Sequence, residues 1–341
     1  MAALALGRVR SVQLFKKYPF LMPSRILEPG EIGQVEPFPT VVLPTDPTQF
    51  AHRAQRFVQR AAGHPMELFL ASMAQLAQAQ HSAYRARPAS PIATATLEQS
   101  RQHGMPALSF QSALADADWQ IDLAAILAAL DLLPASNWQP ALAALRAMSA
   151  AQCDALAEAI LLGADSDAPL HAVTAPVVGA ALQVWWTRQA ATLTTADIGH
   201  VGSATVCPVC AARPLASVVE IGAGQANLRY LHCALCSSQW HMVRVTCSSC
   251  ESTKGVAYYS MHGIDNEAGP SRKTAFARAE ACDVCHSYLK IFMREKEPLM
   301  DATADDLATL TLDLLVDQAG YMRSGPNLLF APGVIAEPTP S

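Results

Sequence analysis

Cys207-Pro208-Val209-Cys210, Cys233-Ala234-Leu235-Cys236, Cys247-Ser248-Ser249-Cys250 and Cys282-Asp283-Val284-Cys285 decide how this chain folds. These four CxxC pairs hold eight of the nine cysteines. Two sulfurs separated by two residues grip one metal ion from a tight turn, and two such knuckles complete a tetrahedral set of four thiolates. Four knuckles predict two metal sites with no thiol left over. The competing reading is a framework of disulfides. A CxxC disulfide closes a very short loop and restricts the unfolded chain little. Secreted scaffolds also spread their cysteines along the chain, unlike this one. The spacing therefore favours metal, with Cys207, Cys210, Cys233, Cys236, Cys247, Cys250, Cys282 and Cys285 as the ligands.

Four pairs can be partnered in three ways. Residues 215–221 carry the branched pair Val218-Val219, Gly222-Ala223-Gly224-Gln225 reads as a turn, and 227–231 returns toward the second knuckle. Knuckle, hairpin, knuckle is a zinc-ribbon or rubredoxin-like plan. The hairpin brings the first two knuckles together. Residues 237–246 read as one strand, and at about 3.3 Å per residue it spans roughly 30 Å, which keeps the second and third knuckles apart. Sequential partnering is expected, with an interleaved arrangement still open. Further strands are expected over 255–261 and 288–293. Four thiolates leave no position for a reactive water, so such sites are structural or electron-carrying, not hydrolytic. Zinc and iron both accept four sulfurs. His232, His241 and His286 adjoin the knuckles and read as neighbours of complete sites rather than as ligands.

Outward from the knuckles the chain changes character. It has 341 residues, 51% hydrophobic and 16% charged, with a formal net charge of -5. That composition predicts a folded protein long enough for two domains and offers no electrostatic case for nucleic acid or an anionic membrane. No apolar run approaches the roughly 18 residues that span a bilayer. The N-terminal residues lack the apolar core of a signal peptide, so a cytoplasmic protein is expected. Residues 1–45 are rich in proline and predict an irregular arm. The region 46–195 is expected to be all helical, starting at Asp46-Pro47, with Phe50, Ala54, Phe57, Val58 and Ala61 at three- and four-residue spacing. Ser149-Ala150-Ala151-Gln152 is a capping box, and Gly163 closes the helix that it opens. Cys153, on that helix, reads as a small core hydrophobe. His52, His64, His81 and His171 are scattered and carry no metal spacing. Trp185-Trp186 lies near the domain junction, as interdomain core or as a binding anchor.

After a linker at 196–205, the modules are expected at 206–246 and 247–300. A C-terminal helix follows at 301–320, with Thr303 and Asp306 as a capping box, Leu307, Leu310, Leu314 and Leu315 buried, and Asp305, Asp313 and Asp317 in water. A loose tail is expected over 325–341. The fold class is thus a multidomain α plus small β protein: an N-terminal all-helical domain, two tandem rubredoxin-like or zinc-ribbon metal modules and a C-terminal helix.

Three functions compete for such a chain: an assembly factor, a nucleic-acid-binding ribbon and a rubredoxin-like electron carrier. Residues 200–300 hold ten Lys or Arg against eight Asp or Glu, too even a balance for a phosphate-binding face. No Walker loop, GxGxxG or nucleophile elbow is present. The four knuckles in this order, Leu231-His232 before the second, Val243-Arg244-Val245 before the third, Ala279-Glu280-Ala281 before the fourth, His286-Ser287-Tyr288-Leu289-Lys290 after it, and Ala304-Asp305-Asp306-Leu307 resemble the formate dehydrogenase accessory protein family, FdhE. The arm residues Arg25-Ile26-Leu27 and Gly30-Glu31-Ile32-Gly33 and the helical region are similar too. The resemblance implies a cytoplasmic, non-catalytic maturation factor. It would bind the catalytic subunit of a formate dehydrogenase before export and carry iron in rubredoxin-like sites. Rubredoxin-type knuckles often place glycine after the second cysteine, where the turn favours positive φ. Ala211, Ser237, Glu251 and His286 stand there instead, which predicts distorted knuckles.

Overall fold

The computed structural model describes residues 38–133, 137–163, 169–199, 202–221, 227–261 and 275–331. The arm over 1–37 and the turn at 222–226 lie outside them. A short strand, β1 (Val41–Val42), precedes eight helices: α1 (Gln49–Ala61), α2 (Glu67–Ala86), α3 (Thr94–His103), α4 (Phe110–Ala113), α5 (Trp119–Asp131), α6 (Gln139–Ala147), α7 (Ala150–Leu162) and α8 (Pro169–Ala190). In α1 the expected stripe is buried at Phe50, Ala54, Phe57 and Ala61, but Val58 lies off it and is 61% exposed. The capping box of α7 forms as expected: the Ser149 hydroxyl accepts from the Gln152 N–H, and the Ser149 N–H donates to the Gln152 side chain. Gly163 ends this helix at φ 66°, left-handed backbone that glycine adopts at little cost. Cys153 packs in the core.

The organising helix of this region is α8. Its side chains from Val177 to Trp186 are apolar on nearly every face and buried, as befits a central helix rather than a surface one. It packs against α2, α5, α6 and α7. Arg188 donates to both oxygens of buried Asp122 on α5, at 2.7 and 2.9 Å. Trp185 and Trp186 form an edge-on pair with centroids 4.6 Å apart. The Trp186 indole N–H donates to the Leu108 carbonyl. Both tryptophans are core.

The later strands of the chain join β1 in one sheet. They are β2 (Pro214–Val219), β3 (Arg229–Cys233), β4 (Gln239–His241), β5 (Val256–Tyr259), β6 (Ala277–Cys282), β7 (Ser287–Met293) and β8 (Met322–Arg323). The order is β1-β4-β3-β2-β7-β6-β5, with β8 beside β7. β1, β4, β3 and β2 pair antiparallel, as do β5, β6 and β7, whereas β8 runs parallel to β7. The sets are joined by β2 and β7, which run parallel with Ser217 opposite Ile291 and Val219 opposite Met293. The modules therefore share a sheet rather than standing apart. Every residue of β2 is buried, the burial pattern of a strand covered on both faces. The strand expected across 237–246 is only Gln239–His241. Val41–Val42, assigned to an irregular arm, pairs with it.

The C-terminal helix is two helices, α9 (Ala302–Leu307) and α10 (Leu310–Gln318). Asp301, not Thr303, caps α9 by accepting from the Ala304 N–H. Asp305, expected in water, is fully buried beneath Arg56. Leu314, expected inside, is 64% exposed, and Leu312 and Val316 fill the core instead. The break between the helices turns the second one, which shifts its inward face. Residues 325–331 are packed rather than loose. Leu328 and Leu329 are buried. A Cβ on Gly179 of α8 would stand 2.1 Å from the Leu328 carbonyl oxygen, so only glycine lets this segment close against the helix.

Candidate metal centres

The four knuckles share one local design. The carbonyl of the first cysteine accepts from the N–H four residues on: Ala211 to Cys207 at 2.9 Å, Glu251 to Cys247 at 3.0 Å and His286 to Cys282 at 2.9 Å. The N–H of the first cysteine donates five residues on, from Cys207 to Ala212, Cys233 to Ser238 and Cys247 to Ser252. Closing that turn requires positive φ at the residue after the second cysteine. Ala211 (65°), Ser237 (59°), Glu251 (59°) and His286 (53°) all adopt it. The expected distortion is absent: the knuckles keep their shape, and each non-glycine residue carries the strain.

Two of those residues have a visible compensation. Glu251 Oε1 accepts from the Ala204 N–H at 2.9 Å and from the Ser203 hydroxyl at 3.1 Å, tying the linker to the third knuckle. The Ser237 hydroxyl meets that of Thr187 on α8 at 3.1 Å. A glycine would make neither bond. The departure from glycine was the sequence signal for these contacts.

The knuckles come together sequentially. Cys207, Cys210, Cys233 and Cys236 form one group of four sulfurs, and Cys247, Cys250, Cys282 and Cys285 form the other, each within 4.8 Å. Sequential partnering holds although the spacer between the groups is not one long strand: β4 ends at His241 and a turn leads to the third knuckle. No disulfide joins any of the nine cysteines in this structure, and the gathering of eight sulfurs in two groups of four favours metal over a disulfide framework. The Sγ atoms of Cys207 and Cys236 are 3.6 Å apart, those of Cys210 and Cys233 3.3 Å, those of Cys247 and Cys285 3.6 Å and those of Cys250 and Cys282 3.8 Å. A tetrahedral ion with bonds of about 2.3 Å sets its sulfurs about 3.8 Å apart. Both groups fit one ion each.

Their ionisation points the same way. Burial pushes the Cys207 and Cys210 thiols well up, and Cys247 up to about 12. Burial also opposes charge on Cys236, but hydrogen bonds from Cys207 and Cys210 outweigh it and pull this thiol well down. Cys285 is likewise held down at about 7, against burial, by the side chain and N–H of Ser287. A crowded sulfur set accepts its first charge readily and resists the next. Four thiolates together require a cation.

The surroundings of the two groups differ. Residues of the helical region that nothing in the sequence marked hold the first. The N–H of Leu108 donates to the Val209 carbonyl at 2.8 Å, and that of Phe110 to Cys210 at 3.0 Å. The Gln183 amide on α8 donates to Ala234 at 2.8 Å. All four of its cysteines are buried. In the second group Cys250 is exposed and Cys285 half-buried. No histidine joins either group among the described residues. His232 lies 3.7 Å from Glu220. His241 packs against Phe38 and Tyr230, and His286 packs against Tyr321.

Comparison with known proteins accounts for nearly the whole chain. Residues 38–203 match the model of the FdhE N-terminal region, 206–244 that of the FdhE central domain and 245–330 that of the FdhE C-terminal domain. An FdhE homologue of Pseudomonas aeruginosa is 38% identical over 313 residues, covering 92% of this chain and 99% of the relative. One from Edwardsiella ictaluri is 37% identical over 305 residues, covering 89% and 94%. The crystal structure of the FdhE protein from Pseudomonas aeruginosa superposes with a TM-score of 0.78 at 37% identity, covering 86% of this chain and 100% of that one. On this match in sequence, region order and fold, the chain belongs to the FdhE family of formate dehydrogenase accessory proteins.

Proposed function

We propose that this chain is a cytoplasmic, non-catalytic maturation factor that binds the catalytic subunit of a formate dehydrogenase before that subunit is exported. In this reading the eight cysteines hold two metal ions, iron or zinc, and segments 206–246 and 247–300 are the modules built around them. The observation that carries it is the pair of closed four-sulfur groups within a chain of the FdhE family. A site with four protein ligands has no position for substrate, which favours a structural or partner-facing role over turnover. Among the described residues no helix is long and apolar enough to cross a membrane.

The test is deletion of the gene in its host. Formate dehydrogenase activity falls while transcript levels hold, the intact chain restores it, and Cys-to-Ser variants do not. The tagged chain captures the catalytic subunit from anaerobic extracts, and metal analysis of the same preparation finds two ions per chain. Full activity in the deletion strain ends this reading and favours an electron carrier or a nucleic-acid-binding ribbon.

A further inference from the structure

The two four-cysteine groups are built to the same knuckle plan but set in opposite surroundings. The third residue of each CxxC knuckle forms its tip. In the first group the tips are Val209 and Leu235, both 0% exposed within the main hydrophobic core. In the second group the tip of the fourth knuckle is Val284, which is 59% exposed. The tip of the third is Ser249, half-buried. The helical region clamps the first group through Leu108, Phe110 and Gln183. The second group's neighbouring core, around Tyr259, Ala279 and Tyr288, includes none of its four cysteines. Cys250 itself is open to solvent.

Ligand exchange at a closed four-thiolate site needs an entering group to reach the metal as a protein sulfur leaves. Burial of all four sulfurs denies that approach, and one exposed sulfur allows it. We propose that the second group is an exchangeable site that passes its ion to and from thiolate-bearing acceptors through Cys250, while the first holds its ion as a fixed part of the core. In the exchange, the entering thiolate forms a bond to the ion as the bond from the ion to Cys250 Sγ breaks. The Cys250 thiolate leaves with its electron pair and takes a proton from water, so no electron is transferred to or from the metal. The inference rests on the metal reading proposed above.

The test uses the full chain loaded to two zinc ions, with the stoichiometry measured first. Excess glutathione with a chromogenic chelator then reads release against time, and alkylation with mass spectrometry reads which cysteines become reactive. The expected result is two phases of one ion each, at least tenfold apart in rate. Label appears first on Cys250, Cys285, Cys247 and Cys282, and the fast rate rises with glutathione. Cys250→Asp keeps the fold, because Asp offers a replacement oxygen ligand, and abolishes or alters only the fast phase. If that variant does not fold, the alkylation order in the unmodified chain decides alone. Two ions leaving in a single phase, or early labelling of Cys207, Cys210, Cys233 and Cys236, overturns the inference and leaves the metal reading standing. A chain that binds fewer than two ions overturns both.

Discussion

Asp305 and Asp306, neighbours in α9, send their carboxylates into opposite halves of the molecule. Asp305 accepts from the Arg56 guanidinium on α1 at 2.8 and 2.9 Å, with Arg60 at 3.3 Å. Asp306 accepts from Arg323 at 2.8 Å and from Asn327 at 2.8 Å, and faces the Lys290 ammonium of β7 at 3.2 Å. Both are fully buried. Burial alone would push Asp306 up, but Arg323 and Lys290 outweigh it and hold its carboxyl below the usual range. One turn of helix thus rivets the helical region to the sheet.

Removing one rivet leaves a buried cation without its main partner. Asp305→Ala, which leaves Arg56 with Glu297 at 3.2 Å as its remaining carboxylate, destabilises the chain by about 3 kcal/mol, the low end of the cost of breaking a buried pair from one side. Urea unfolding measures it. Asp317→Ala, at an exposed position, changes the midpoint by less than about 0.5 kcal/mol. Equal effects at the two positions would contradict the buried pairing.

Acid sensitivity has a named source at Glu220. Burial raises its pKa, but His232 at 3.7 Å and the Arg294 guanidinium, donating at 2.5 and 3.2 Å, overcome it and hold the carboxyl at about 2 against an ordinary value of 4.5. A depressed carboxyl contributes stability that is present above its unfolded value and lost as the pH falls toward the folded one. Glu220 therefore stabilises the fold above about pH 4.5, and the contribution disappears between 4.5 and about 2. Glu220→Gln lowers stability at pH 7 by about 2 kcal/mol and flattens the acid limb of a chemical-denaturation series over that window. An unchanged acid limb would count against the assignment.

The knuckle turns store strain at non-glycine residues. Left-handed backbone costs an ordinary residue about 1 kcal/mol or more. Ala211→Gly relieves it and raises the melting temperature by a few degrees, whereas Ala211→Val lowers it. Glu251→Gly relieves the same strain but loses the bonds to Ser203 and Ala204. Its net effect on melting is small, while amide exchange at Ala204 accelerates. Calorimetry with exchange by mass spectrometry separates the two effects.

Metal binding and folding are expected to be coupled most strongly at the first group. Structural zinc sites in small domains contribute about 10–16 kcal/mol of apparent binding energy. Cys233→Ser with Cys236→Ser removes half of one site at the seam with the helices. Amide exchange across 205–295 rises sharply, and the 106–110 segment loses protection with it, because Leu108 and Phe110 donate to knuckle carbonyls. Helices α2 and α5 stay protected. Unchanged exchange over 205–295 would refute the coupling.

The knuckles were legible in the sequence because CxxC spacing is a local code for a local geometry. The helical stripes of α1 and the capping box of α7 were legible for the same reason. What the sequence concealed was long-range. Nothing in Ser217-Val218-Val219 indicates a parallel partner at Ile291-Phe292-Met293, so two hairpins read as two modules instead of one sheet. Asp305 reads as a surface residue of an amphipathic helix and Asp306 as part of its cap until their partners arrive from Arg56 and Lys290. Gln183 and Leu108 hold a metal-type site through backbone carbonyls, which leave no trace in residue identity.

The pairing of Arg56 with Asp305 spans 249 residues. At a synthesis rate of 5–20 residues per second, roughly 12–50 s separate the emergence of one partner from the other. During that interval the arginine face of α1 has no carboxylates from α9 to meet, and α8 lacks Leu328 against Gly179. Helix α9 is thus a clasp in time as well as in space: a nascent chain forms helices early and acquires this junction only after strands β1 to β7 have been made.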